Sequence, residues 1–191
     1  MANTFAPFGF RKIGVANGAA PTFALTKRRI ASGNATAIYF GDPVMPVIGS
    51  ATGYITQGAA GTTMLAGVFA GCKYLSVARK QTVWSNYWPG SDANGDVEAY
   101  IVDDPQAKFQ VQVGPSGNTT AAITGTLANF TSSKQGQYAN FALGTGSAYT
   151  GISGAYLDAT TINTTVTLPF IIEDYVTDPP GANGTDPTSA N

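Results

Sequence analysis

The side chains best placed to do chemistry lie between Asp92 and Asp103. The run Asp92-Ala-Asn94-Gly-Asp96-Val-Glu98 sets oxygen groups at alternate positions, and Asp103 stands where a twelve-residue calcium loop carries its last ligand. The sharp-turn glycine of such a loop belongs at the sixth position, but here Gly95 occupies the fourth, so an Asn94-Gly95 hairpin turn competes with calcium binding at Asp92, Asn94, Asp96, Glu98 and Asp103. Paired carboxylates would offer glycoside hydrolysis if two of them met across a cleft roughly 5–10 Å wide. The adjacent pairs Asp103-Asp104 and Glu173-Asp174 cannot do this within a strand, because neighbouring side chains point to opposite faces. The chain has no histidine, which excludes Ser-His-Asp, Cys-His and His-metal sites. Neither a Walker-type phosphate loop nor a dinucleotide-binding glycine motif is present. The expectation is a protein that is not an enzyme and uses no cofactor.

The densest aromatic group is Trp84, Tyr87 and Trp88. In a regular strand Trp84 and Trp88 share a face, which would serve a protein interface, a core, or an aromatic platform for sugars.

These residues sit among short β-branched and aromatic runs bounded by Gly, Pro, Asn and Asp, with no helical stripe of convincing length. The runs are 36–40, 44–48, 53–56, 67–75, 82–88, 97–102, the alternating Phe109-Gln-Val-Gln-Val113, 138–143, 152–157 and a long closing strand over 164–175. Segment 121–130 reads as strand or short helix, and Asn94-Gly95 as the hairpin joining the Trp84–Trp88 run to 97–102. Roughly eight to ten strands at this spacing predict an all-β fold, an antiparallel β-sandwich or jelly-roll-like domain. Residues 1–30, with Phe5, Phe8 and Phe10 among Gly, Pro and basic residues, read as an extended N-terminal arm. The domain is then 31–176, and 177–191, with three prolines and no large apolar residue, is a flexible tail.

Charged residues are 11% of the 191, against roughly 25% in an average soluble domain, which suits a surface that faces other protein. The net charge of −1 gives no global argument for nucleic acid or membrane. Its distribution is uneven: Arg11, Lys12, Lys27, Arg28 and Arg29 precede the first acid, Asp42, and only acids follow Lys134. Opposite-sign ends would orient neighbouring copies or dock the front of the chain on an acidic partner. Cys72 is the single cysteine, so no intrachain disulfide or cysteine-based zinc site forms. The first residues lack the charged and apolar regions of a signal peptide, and no apolar run approaches the roughly 20 residues that span a bilayer, so synthesis in a reducing cytoplasm is expected.

In the order of its small motifs the chain resembles the decoration, or cement, proteins of tailed-bacteriophage capsids. The resemblance rests on Phe8-Gly-Phe10-Arg11, Thr36-Ala-Ile-Tyr39 before Gly41-Asp-Pro-Val44, Gly67-Val-Phe-Ala-Gly71, Asp103-Asp-Pro105 before Phe109-Gln-Val-Gln112, and Ser153-Gly-Ala-Tyr-Leu-Asp158. It implies no catalytic residues. It implies many copies, synthesised in the host cytoplasm and bound as dimers or trimers at local symmetry axes on the outer capsid surface of the virion, bridging neighbouring major capsid protein subunits and stabilising the expanded head. Charge and aromatic placement nominate Phe8, Phe10, Arg11, Lys12, Lys27, Arg28, Arg29, Trp84 and Trp88 as contacts. The alternative is a carbohydrate-binding or head-fibre base module built on Trp84 and Trp88.

Overall fold

The computed structural model describes residues 6–16, 24–49, 53–114, 134–174 and 176. These form an all-β fold with several sheets, mostly antiparallel, in which a 3-10 turn, Ala159–Thr161, follows the last strand but one. No helix among them is long and apolar enough to cross a membrane.

The strands are β1 (Arg11–Val15), β2 (Thr26–Ile30), β3 (Pro43–Pro46), β4 (Ile55–Gln57), β5 (Gly67–Leu75), β6 (Thr82–Ser85) and β7 (Val97–Val102). They continue with β8 (Ala107–Gln110), β9 (Val113–Gly114), β10 (Tyr138–Ala139), β11 (Phe141–Gly144), β12 (Gly154–Asp158) and β13 (Phe170–Ile171). The largest sheet runs β2-β7-β5-β3-β4, and β6 also pairs with β5. One edge of β5 is lined by β7, while the other is shared between β3 at its start and β6 at its end. A parallel bridge between Arg29 and Tyr54 brings the β2 edge to the approach of β4, so the sheet curls round on itself.

Alternation explains what the curled sheet encloses. Val97, Ala99 and Ile101 of β7 point inward with Ile30, Val44, Ile55, Phe69, Tyr74 and Trp88, while Glu98 and Tyr100 point out. A bulge in β5 between Phe69 and Gly71 shifts the parity, so Phe69 and Cys72, three apart, enter the same core. Val68 points the other way and joins Phe10, Phe141 and Ala155 in a second apolar layer, against the β11-β12 pair. A third cluster, Val113, Ala139, Leu157 and Ile172, lies where β9 pairs with β12, in parallel. The two sides are also joined at Asp42, whose buried carboxylate accepts hydrogen bonds from Tyr39 N (2.8 Å), Gln57 Nε2 (2.8 Å) and Ser153 Oγ (2.5 Å). Burial pushes the Asp42 carboxyl above the usual range against these three donors.

Several expectations are corrected. The described parts of 1–30 join the body rather than forming an arm: β1 pairs with β8, β2 pairs with β7 along its length, and Phe10, just before β1, stacks on Phe170 at 4.4 Å. Phe10 finds its apolar partners, Phe109, Phe141 and Phe170 among them, within the chain itself. The Trp84 run and 97–102 do not form a hairpin with each other, since both pair with β5. The closing strand shrinks to Phe170–Ile171, because Asn163 Oδ1 captures Thr165 N and a turn brings Leu168 N to Thr165 O (3.3 Å), leaving Val166 exposed. Segment 36–40 contributes only isolated bridges at Ile38 and Phe40. Phe5, 121–130, Tyr175 and the tail 177–191 lie outside the described residues.

Candidate functional site

The outward face of β6-β5-β7-β2 carries a band of aromatic and charged side chains. Register places Trp84 beside Lys73, Lys73 beside Glu98 and Glu98 beside Arg29, with Gly71, Tyr100 and Lys27 forming the next row. Gly71 has φ +138° at the bulge and presents no side chain. Trp84 and Tyr100, two strands apart, therefore meet across β5 and stack with centroids 5.8 Å apart and planes 10° from parallel. Lys73 Nζ lies 5.0 Å from the Trp84 ring centroid and Lys27 Nζ 5.9 Å from that of Tyr100.

A polar clasp fixes the inner half of this band. Tyr100 donates its hydroxyl hydrogen to Glu98 Oε1 at 2.5 Å, and Lys27 Nζ stands 2.9 Å from the same oxygen. The bond to Glu98 pushes the Tyr100 phenol up to about 12, and the same bond, with Lys27 second, holds the Glu98 carboxyl below its ordinary value. Trp84 keeps 67% of its surface exposed on this base, an exposed indole that is nevertheless held in place. Next along the same side, Asn86 Nδ2 donates to Thr150 O at 2.9 Å, pinning the turn that carries the fully exposed Tyr149.

The remaining nominated residues are dispersed. Trp88 is completely buried: β6 ends at Ser85, whose hydroxyl accepts Tyr87 N, and the bend turns the second indole inward against Tyr74, with Nε1 donating to Asn34 O. Trp84 and Trp88 share no platform. Phe10 is 2% exposed and belongs to the core. Phe8 is half-buried, with the Arg11 guanidinium 5.7 Å from its ring centroid, and Lys12 is half-buried in β1. Lys27, Arg28 and Arg29 face Glu98, Asp103 and Asp96 within the chain at 2.9, 3.3 and 3.9 Å.

The carboxylates of the calcium constellation are engaged by separate partners. Asp92 accepts from Ser76 Oγ and Ala78 N, Asp96 from Tyr54 Oη, and Asp103 from Thr26 Oγ1, while Glu98 faces the outer band. Among the described residues no three acidic or cysteine side chains gather as a metal site. Cys72 is buried, its thiol pushed up to about 12 by desolvation, and it donates to Tyr87 O.

Sequence reasoning missed Tyr100, Lys73 and Gly71 as members of the band. The alternation of Val97, Ala99 and Ile101 marks Tyr100 as outward-facing, but the bulge that lets Trp84 reach it leaves no local signal. No protein-family model, curated protein or solved structure matches the chain.

Proposed function

We propose that this chain is a structural virion protein that binds the outer surface of a tailed-phage capsid. There it cements neighbouring major capsid protein subunits and, by binding the expanded lattice in preference to the unexpanded one, stabilises that state by mass action. Copies associate as dimers or trimers at local symmetry axes, and the protein performs no catalysis. The motif order described above supports the family. The observation that carries the binding role is Trp84, a large exposed indole already ordered by Tyr100 and Lys73. Tryptophan is enriched among residues that dominate interface energies, and an anchor ordered beforehand loses little entropy on docking. The contact residues move accordingly, from the N-terminal aromatics to the outer face of β6-β5-β7.

Quantitative mass spectrometry of virions carrying this protein gives tens to hundreds of copies per particle on this reading. Purified chain added to expanded capsids co-sediments with them, and Trp84→Ala does not. A few copies per particle, with a sugar ligand found on a glycan array, would replace this reading with the carbohydrate-binding one.

A further inference from the structure

Resting on that reading, we infer that the partner surface met by the outer face is a carboxylate beside an apolar recess, with Lys73 as the group that selects it. The cations near this face differ in how they are occupied. Lys27, Arg28 and Arg29 each have a carboxylate of their own chain within 4 Å. Lys73 has no such ion pair among the described residues. Its cross-strand neighbour is Glu98, but that carboxylate is already engaged by the Tyr100 hydroxyl and Lys27.

Lys73 is also ordered, because its ammonium is held 5.0 Å from the Trp84 ring centroid. An ammonium offers three N–H donors and no acceptor. An approaching group that supplies an acceptor and a negative charge complements it, and a carboxylate does both. The indole beside it is 67% exposed and offers apolar area to the same partner. A neutral sugar would use the ring without needing the charge. A second copy presenting this same face would bring Lys73 up to another Lys73-bearing surface whose Glu98 is already taken. Charge complementarity therefore favours a different, acidic protein surface over both. Association should accordingly be steered by charge and weaken with salt.

The test compares co-sedimentation with expanded capsids for wild type, Lys73→Met, Lys73→Glu, Trp84→Ala and the control Lys134→Glu, each confirmed folded by its amide NMR spectrum. Lys73→Glu should weaken binding by at least about tenfold, corresponding to about 1.4 kcal/mol, and Lys73→Met by less. Salt should weaken wild type more than Lys73→Met, and Lys134→Glu should match wild type. Equal binding by wild type and Lys73→Glu would overturn the role of Lys73 while leaving the capsid reading intact.

A second arm does not need capsids: isotope-labelled chain is titrated with a hexaglutamate peptide. Shifts centred on the Lys73 side chain and the Trp84 indole N–H, absent in Lys73→Met, are expected even if capsid binding fails. Shifts spread over all lysines, or none at Lys73, would overturn the inference. Saturable binding of a neutral oligosaccharide at Trp84 that Lys73→Glu leaves unchanged would assign the face to sugars instead.

Discussion

Trp84 and Tyr100 stack 5.8 Å apart although their strands, β6 and β7, are not hydrogen-bonded to each other. The strand between them, β5, puts Gly71 opposite Tyr100, and the missing side chain is what lets the rings meet. An exposed aromatic pair thus depends on a backbone irregularity in a third strand.

Gly71→Val should be costly on two counts. A Cβ at this position lies 3.0 Å from Ser85 O, and φ +138° is unfavourable for any residue with a side chain. A loss of about 2 kcal/mol or more in urea unfolding is expected, with the Trp84 emission moving toward that of free indole. Unchanged stability and emission would refute the account of the stack.

Trp84→Ala and Trp88→Ala should separate cleanly. The first removes a mostly exposed ring and should cost no more than about 1 kcal/mol, whereas the second empties a fully buried site and should cost about 3–5 kcal/mol. Parallel denaturant melts check the contrast, and similar losses would contradict the opposite placement of the two indoles.

Tyr100 should hold its proton to unusually high pH. Its folded pKa of about 12 lies above the ordinary phenol value of 10.0, so its contribution to stability is fully present below pH 10 and is lost as pH rises through 12. Carbon-13 tyrosine NMR should show Tyr100 titrating late and Glu98→Gln moving it back toward 10. A Tyr100 titration unaffected by that substitution would show that Glu98 is not the cause.

Asp42→Ala should destabilise the chain by about 2–4 kcal/mol, because Tyr39 N, Gln57 Nε2 and Ser153 Oγ lose a common acceptor in a buried site. The milder Asp42→Asn reports the charge. With its folded pKa raised above 3.8, Asp42 contributes stability that is fully present below that pH and lost as pH rises through the folded value. Asparagine should therefore cost more relative to wild type at pH 3 than at pH 7. The reverse order in thermal melts would mean that the carboxylate is stabilised as an anion.

Strand existence was legible wherever alternation or a β-branched run was strong. The spans 67–75 and 97–102 are β5 and β7 to the residue, because both strands are paired on either edge and their inward residues are buried. Legibility failed where a polar side chain captured the backbone. Asn163 ended the expected last strand, and Ser85 bent the chain so that Trp88 turned inward. The basic run 27–29 looked like a free contact surface because its carboxylate partners, Asp96, Glu98 and Asp103, lie about seventy residues away, brought near only by antiparallel pairing of β2 with β7. Charge spacing along a chain carries no record of such pairing.

The position of β5 has a mechanical consequence. Its hydrogen bonds run to β7 on one edge and to β3 and β6 on the other, and it sends Val68 into one apolar layer and Phe69 into the next. A pull applied at Trp84 passes through β6 into β5, where displacement along the strand axis strains many hydrogen bonds at once instead of unzipping them singly. From there the force divides between two packed layers, so β5 works as the tie-rod of the molecule.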